Sequence, residues 1–285
     1  MCVPGTLETV RAQIEAEEPP DVDVPRLSRR TALLAGAATA LATAIPGRAL
    51  AGSAGRSGMR LADLTHVFSE DFPLFPGAPP TSRTTAVTVQ ADGFYAQQWT
   101  LSEHACTHMD APAHFVVGGR TTPQLRLSEL VAPVVVIDIA RRAAGDPDTV
   151  VTPNDLRAFE RRYGRIPRNA VVCMHSGWQA RIGSTESYRN ADAQQVMHFP
   201  GFGKAAVDWL LTRRSIRGIG VDTLSLDPGN SKTFDSHVTV LKANRYGIEN
   251  LRGLKAIPPR GATIYLGLIP WRGGSGGPCR AFASW

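Results

Sequence analysis

The chain has 285 residues, enough to bury a full hydrophobic core in one domain. Its formal net charge is +6, and much of that charge lies in the arginine pairs at 141–142, 161–162 and 213–214. Such pairs are typical of solvated helix ends, and no aromatic-and-basic recognition motif accompanies them. The composition therefore argues against a nucleic-acid partner.

The amino-terminal segment has the pattern of a twin-arginine export signal. Arg29 and Arg30 precede an Ala/Leu-rich run, and Ala49-Leu50-Ala51 is a small-x-small cleavage site. The alternative is a membrane anchor, but the apolar run is shorter than the roughly 20 residues that span a bilayer, and Pro46 and Gly47 interrupt it. We expect export with cleavage after Ala51 and no stable membrane insertion.

This interpretation divides the chain into a signal peptide at 1–51, a short linker at 52–59 and a single domain at 60–285. Removal of the signal takes five of 31 basic and six of 25 acidic residues, which leaves a formal charge of +7. Cys2 leaves with the signal, so an odd number of cysteines remains and no complete disulfide framework is implied.

Short apolar runs alternate with helical stretches from Met59 onward, with a turn-rich loop at 73–80. The last four predicted strands are β-branched and apolar, as expected of strands buried on both faces of a central sheet. The predicted strands are Leu61–Thr65, Thr84–Val89, Phe94–Leu101, Val134–Ile139, Val171–His175, Ile216–Val221 and Thr263–Leu268.

Two helices are also predicted. Thr152 and Pro153 form a capped helix start that leads into Leu156–Tyr163, and a second helix covers Lys204–Leu211. A sheet mixed with a few helices indicates an α/β or α+β domain.

Three of the seven histidines lie within eleven residues, together with an aspartate. His104 and His108 would share a helix face, but Asp110 would not, and Pro112 opposes a regular helix. An irregular turn after the strand ending near Leu101 fits better, because it lets the first three side chains converge on one divalent cation of the zinc or manganese type. His114 then stays free to move a proton.

Aromatic residues are candidates for a wall around an aryl substrate, although core packing is the alternative for each of them. They are Trp99, Trp178, Phe199 and Phe202. Asp222 and Asp227 follow a predicted strand, where carboxylates commonly fix loops by accepting backbone hydrogen bonds. We assign them structural roles.

Gly273–Gly277 matches the G-x-S-x-G pattern of serine hydrolases at Ser275. The required acid and histidine do not follow it, since none of the eight residues after Gly277 is Asp, Glu or His. No Gly-Lys-Ser/Thr follows either, so the segment is not a phosphate-binding loop. It is predicted to be a flexible loop near the mouth of the site.

The residues from His104 to His114 resemble the hallmark H-x-G-T-H-x-D-x-P-x-H of the cyclase family, which contains bacterial kynurenine formamidase and isatin hydrolase. The resemblance extends over residues 60–285. It implies a single α/β domain with the mixed sheet of the cyclase type, a swivelling β/β/α fold. The further segments that carry it are Asp63–His66, Phe75–Gly77, Gly220–Asp227, His237 and Glu249.

By this resemblance, two zinc ions are held by two ligand groups that share an aspartate, and His114 is the general acid/base. The groups are His104, His108 and Asp110 for one ion, and Asp110, His237 and Glu249 for the other. Cys106 replaces the glycine of the hallmark. Its side chain could crowd the turn, join the metal or lie behind it.

The resemblance implies a metal-dependent hydrolase of an amide-type C–N bond in a small molecule, such as an aryl formamide like N-formylkynurenine. Together with the export signal, this predicts an exported enzyme, and we expect it to form a homodimer. One alternative is the opening or closing of a cyclic amide or imide with a single manganese ion, as in isatin hydrolase-like relatives. An alternative of another class is a catalytically degenerate metal-binding or ligand-binding protein, with Cys106 as the disabling change.

Overall fold

The computed structural model describes residues 58–285, and the predicted export signal lies outside them. In that described part, no helix reaches the length and hydrophobicity that a bilayer crossing requires.

The described chain alternates short strands and helices. The strands are β1 Leu61–Asp63, β2 Ser82–Val87, β3 Ala96–Thr100, β4 His108–Asp110, β5 Val131–Asp138, β6 Val150–Val151, β7 Val171–His175, β8 Gly201–Phe202, β9 Gly218–Val221, β10 Tyr246–Glu249, β11 Ala262–Leu268 and β12 Gly276–Ser284. The α-helices are α1 Val89–Asp92, α2 Leu127–Leu130, α3 Ala140–Ala143, α4 Pro153–Tyr163, α5 Thr185–Arg189, α6 Lys204–Arg213 and α7 Asp235–Lys242.

The main sheet closes on itself. Its strands follow the order β1-β12-β11-β5-β7-β9-β10-β4, and β4 also pairs with β12. Strands β5, β7, β9 and β10 run parallel, whereas β1, β4, β11 and β12 make antiparallel pairs. Seven strands therefore form a mixed, barrel-like ring, with β1 added at its edge. The predicted mixed α/β fold is confirmed.

The parallel strands are buried on both faces. Val134 and Val136 of β5 belong to a core inside the ring, together with residues of β10, β11 and β12. Val135 and Ile137 alternate with them and pack under helices α4, α6 and α7 in a second core. Because successive side chains of a strand point to opposite faces, a continuous apolar run serves both layers.

Strand β11 differs from its prediction. Alternate residues such as Ala262, Ile264 and Leu266 are buried, while the residues between them are partly exposed. Its neighbours β5 and β12 are both antiparallel to it, so no crossover helix of a parallel connection covers its outer face. The prediction of burial on both faces was wrong for this strand.

Both predicted helices are present. In α4 the Thr152 side chain accepts a hydrogen bond from the Asp155 amide, and Pro153 occupies the first turn. A proline is tolerated there because its missing amide hydrogen would have no partner within the helix. Helix α6 begins at Lys204, as predicted, and continues two residues further, to Arg213.

Residues Val87–Ala96 separate by their contacts from the larger unit, which comprises Gly58–Ala86 and Gln97–Trp285. Within this segment, the Thr88 hydroxyl accepts a hydrogen bond from the Ala91 amide and so caps the single-turn helix α1. Gly93 ends that helix with a φ of 78°, a left-handed conformation that glycine adopts without steric cost.

Candidate metal centre

Strands β4 and β10 place three of the predicted ligands on one face of the sheet. His108 and Asp110 are two residues apart on β4, so their side chains point the same way. Glu249 of β10 lies directly opposite His108 in the antiparallel pair. The His108 Nε2 atom is 3.3 Å from one oxygen of Asp110 and 3.3 Å from one of Glu249.

Glycines on both neighbouring strands make room for these side chains. Gly247 of β10 and Gly276 of β12 both lie opposite Asp110. A Cβ atom on Gly247 would lie 3.0 Å from Asp110 Oδ2, and one on Gly276 would lie 2.5 Å from the Cε1 atom of His104. Larger residues at either position would displace a predicted ligand.

The turn before β4 supplies His104. Residues 103–107 form turns and bends, as predicted, before β4 begins at His108. The Nδ1 atom of His104 is 2.8 Å from Asp110 Oδ1. His108 donates through Nδ1 to the Cys106 carbonyl oxygen at 2.8 Å, which leaves its Nε2 facing the carboxylates.

His237 lies in the first turn of α7, a helix that the sequence did not predict. Asp227 accepts hydrogen bonds from the amides of Ser236 and His237, at 2.7 and 3.1 Å, and so caps the helix. The same carboxylate accepts from His237 Nδ1 at 2.7 Å. His237 Nε2 therefore faces inward, 3.0 Å from Glu249 Oε1 and 3.6 Å from Asp110 Oδ2.

The structure thus brings all five predicted ligands together in two groups that share one aspartate. In each group the ligand atoms lie within 4.8 Å of one another, and the groups are His104, His108 and Asp110, and Asp110, His237 and Glu249. Within residues 58–285, Asp110 Oδ2 is buried and has no hydrogen-bond partner. A buried carboxylate oxygen without a partner is costly unless a cation contacts it, so this donor set fits a divalent metal.

The protonation of the cluster follows from the same contacts. Burial disfavours a charged imidazole, but hydrogen bonds to Asp110 and Glu249 raise the pKa of His108 to about 10. The pKa of His237 is raised for the same reason, against burial. The histidines in turn lower the pKa of Asp110 and of Glu249, although burial opposes this. These directions keep both carboxylates charged, so the cluster favours positively charged partners.

His114 stands next to this cluster without belonging to either ligand group. It ends a 3₁₀ turn, Pro112–His114, and the residue reaches solvent while its ring packs against neighbouring imidazoles. Its ring stacks on His104 with the centroids 3.8 Å apart, and desolvation by its surroundings lowers its pKa to about 4. A neutral imidazole beside the ligands is placed to exchange protons with a bound substrate.

The predicted aromatic wall is corrected. Trp178 and Phe199 are 2% and 0% exposed and belong to a small core cluster, so neither ring offers a surface to a ligand. Phe202 is likewise buried in the core under the helices. Trp99 lies in a different place, along a cavity of about 670 Å³ that is also lined by Phe68.

Two other phenylalanines lie beside the ligands instead. Phe115 stacks on His237 at a centroid distance of 4.9 Å, and Phe234 meets the same imidazole edge-on at 5.9 Å. Both side chains are partly exposed. Phe115 could have been found from the sequence, because it follows His114 directly.

Cys106 lies behind the turn. Its φ of 57° is in the left-handed region, which explains why the hallmark has glycine there. The thiol is within 3.8 Å of the carbonyl oxygens of His66 and Val67 and is not among the ligand atoms. Burial raises its pKa to about 11, so it is an inert thiol.

We expect Cys106→Gly to leave the bound metal and the turnover unchanged, because the Sγ atom contacts backbone carbonyls and no ligand. Metal analysis and initial rates on the variant and the wild type check this. A clear rise in activity would instead support the hypothesis that Cys106 disables the site.

The glycine-rich segment differs in part from its prediction as a flexible loop, because residues 273–275 are irregular but a strand follows them directly. Gly276 and Gly277 are buried and begin strand β12, and Gly274 accepts a backbone hydrogen bond from Thr122. Ser275 accepts one from Ala111 through its carbonyl oxygen. Composition suggested flexibility, but pairing with β4 fixes the segment against the ligands. Asp222 and Asp227 do accept backbone hydrogen bonds, as predicted.

Comparison with known proteins agrees with the sequence resemblance. Residues 62–228 match a family model described as "Putative cyclase", which is more than half of the chain. The chain belongs to the cyclase family. Within that family it is 30% identical to the isatin hydrolase of Roseibium aggregatum over 242 residues, which is 79% of this chain and 91% of the relative.

Two further cyclase-family proteins support this. The kynurenine formamidase of Bordetella pertussis is 29% identical over 195 residues, 68% of this chain and 83% of its own length. The structure of isatin hydrolase A from Ralstonia solanacearum superimposes with a TM-score of 0.75 at 33% identity, and the match covers 79% of this chain and 92% of that one. The cyclase-family relatives named here are hydrolases.

Proposed function

We propose that this cyclase-family protein hydrolyses an amide-type C–N bond in a small aromatic molecule and depends on a divalent metal. The observation that carries the proposal is Asp110, a fully buried carboxylate that two ligand groups share and whose Oδ2 atom has no hydrogen-bond partner among the described residues. The likeness to isatin hydrolase and kynurenine formamidase supports the reaction class.

The residues of the site have two roles in the proposed reaction, metal binding and proton transfer. When bound, the metal supplies Lewis-acid activation of a water and of the substrate carbonyl. His104, His108, Asp110, His237 and Glu249 would hold it. His114 would accept a proton from the attacking water and donate it to the leaving nitrogen as the C–N bond breaks. The products are then a carboxylic acid and an amine.

Two substrate classes remain candidates. Aryl formamides such as N-formylkynurenine fit a site with two zinc ions, which both ligand groups support. A cyclic aryl amide such as isatin, opened with one manganese ion, is favoured by the identity and coverage of the isatin hydrolase match. In either case, Phe115 and Phe234 beside His237 offer partly exposed aromatic faces for an aryl group.

The deciding experiment is metal analysis of residues 52–285, purified without added metal or chelator, followed by turnover of both substrates. Two zinc ions per chain with formamide hydrolysis support the first class. One manganese ion with isatin opening supports the second. A protein that binds metal and turns over neither aryl formamides nor cyclic amides would contradict the proposal and support a degenerate binding protein.

We also propose a homodimer. Val67, Ile269 and Trp271 of the larger unit line one cavity, and they are 79%, 49% and 39% exposed. Apolar side chains grouped in this way are typical of a protein interface. Light scattering after size exclusion measures the mass directly, and Ile269→Lys should shift the protein toward the monomer. A monomeric wild type would contradict the proposal.

Export through the twin-arginine route is the last part of the proposal. It rests on Arg29, Arg30 and the cleavage site that ends at Ala51. We expect the protein outside the cytoplasm with a new amino terminus at Gly52, and mass spectrometry of fractionated cells checks this. Replacing both arginines by lysine should block export, and export that continued in that variant would contradict the assigned route.

A further inference from the structure

Each of the three ligand histidines makes one hydrogen bond to a group outside the ligand cluster. For His104 that partner is a side chain far along the chain from the hallmark motif. His108 is oriented by a backbone carbonyl and His237 by Asp227. The Nε2 atom of His104 instead lies 2.9 Å from the hydroxyl oxygen of Ser275. Ser275 is the central residue of the G-x-S-x-G segment, and the proposed reaction assigns it no role.

The direction of this hydrogen bond follows from the third member of the chain, Glu103. The Ser275 hydroxyl is 2.6 Å from Glu103 Oε2, and the Ser275 amide is 2.9 Å from the same oxygen. A carboxylate only accepts hydrogen bonds, so the single hydroxyl proton of Ser275 is donated to Glu103. The serine oxygen then accepts from His104, which places a proton on Nε2.

With Nε2 protonated, Nδ1 is the atom of His104 that serves the metal. In the metal-free protein this atom donates to Asp110 Oδ1 at 2.8 Å, and a bound metal would take the place of that proton. His108 and His237 present Nε2 to the same cluster, because their Nδ1 atoms make hydrogen bonds to groups outside the cluster. His104 therefore presents Nδ1 to the cluster instead of Nε2, and among the described residues Ser275 is the hydrogen-bond partner that holds its Nε2 atom.

The backbone around Ser275 is built to hold this arrangement. The Ser275 carbonyl oxygen accepts from the Ala111 amide at 2.8 Å, immediately after β4. A Cβ atom on Gly274 would lie 3.0 Å from Glu103 Oε1, and one on Gly276 would lie 2.5 Å from the His104 ring. Side chains at these two positions would push apart the groups that Ser275 connects.

We propose that Ser275 and Glu103 form a positioning relay that fixes the tautomer and orientation of His104 and so sets the affinity of the metal site made by His104, His108 and Asp110. Ser275 is not a nucleophile in this proposal. The inference rests on the proposed function, because it requires that the cluster holds a metal. Outer contacts of this kind typically contribute about 10- to 100-fold to metal affinity.

The test is calorimetric titration of metal-free protein with zinc and, separately, with manganese. Ser275→Ala and Glu103→Ala should each weaken one binding step by about 10- to 100-fold and leave any second step unchanged. Glu103→Gln should lie close to the wild type, because its amide oxygen can accept the same two hydrogen bonds. Ser184→Ala is the matched control, since Ser184 donates to Glu186 at 2.7 Å in an exposed position.

A double-mutant cycle separates positioning from a general structural effect. In a His104→Ala background, Ser275→Ala should weaken metal binding no further, because the relay acts only through that imidazole. The unfolding temperature of the metal-free Ser275→Ala protein should match that of the wild type. If Ser275→Ala is unstable, the comparison of Glu103→Ala with Glu103→Gln is sufficient to test the proposal.

The outcomes distinguish this inference from the proposed function. If the wild type binds metal and hydrolyses its substrate while Ser275→Ala and Glu103→Ala bind as tightly, the relay is refuted and the function stands. If the wild type binds neither zinc nor manganese, both are refuted. A further loss in the His104→Ala background would also overturn the relay, because Ser275 would then act on another part of the site.

Discussion

Asp110→Asn should abolish metal binding at both ligand groups and, with it, hydrolysis. The substitution preserves the shape of the side chain but removes the charge that the two groups share. We expect metal affinity to fall by more than roughly 100-fold, which is the usual upper effect of removing a residue that hydrogen-bonds to a ligand. Mass spectrometry of bound metals and initial rates on the same preparation measure both effects.

Asp208→Asn provides the control for this variant. Asp208 pairs with Lys204 at 2.7 Å on the exposed side of α6, where solvent screens the ion pair and it contributes little to stability. It should keep full metal content and full activity. Unchanged metal content in Asp110→Asn would contradict the assignment of Asp110 as a shared ligand.

His114→Ala should keep its metal and lose about 10²- to 10⁴-fold in kcat, the usual contribution of a general acid/base. The imidazole stacks on His104 but is not in either ligand group, so its removal takes away proton transfer and no coordination. Because residue 114 reaches solvent and lies outside the hydrophobic core, the fold should be unaffected. Steady-state kinetics and metal analysis together check the two halves of this result.

His198→Ala is the matched control, because His198 is partly exposed and bonds to Asp148 at 2.8 Å outside both ligand groups. It should turn over like the wild type. Normal turnover in His114→Ala would exclude His114 as the proton-transfer group, and metal loss in that variant would make it a ligand instead.

The sequence predicts the parts of the site that are close together in the chain. The spacing of His104, His108 and Asp110 indicates an irregular turn, and residues 103–107 form one. Strand β4 itself could not be predicted, because three residues carry no periodicity. Its extended form depends on pairing with β10 and β12, which lie far along the chain.

Helix α7 and strand β12 were missed for related reasons. The sequence Asp235–Lys242 contains β-branched residues, which lose side-chain freedom in a helix, and the start of the helix depends on Asp227, eight residues before it. Gly276 and Gly277 suggested a loop by composition, but contact with His104 and β4 decides their conformation. The roles of Ser275 and Glu103 appear only when those contacts are known.

The closure of the sheet at β4 ties metal binding to folding. The ligands come together only when β4 is paired with strands from near the carboxyl end of the chain, so an unfolded chain has no comparable site. A ligand that binds only the folded state adds about 2.7 kcal/mol of stability at 100 times its dissociation constant. Chelators should therefore lower the melting temperature as well as the activity, and amide exchange in β4 should report on the metal as directly as any assay of turnover.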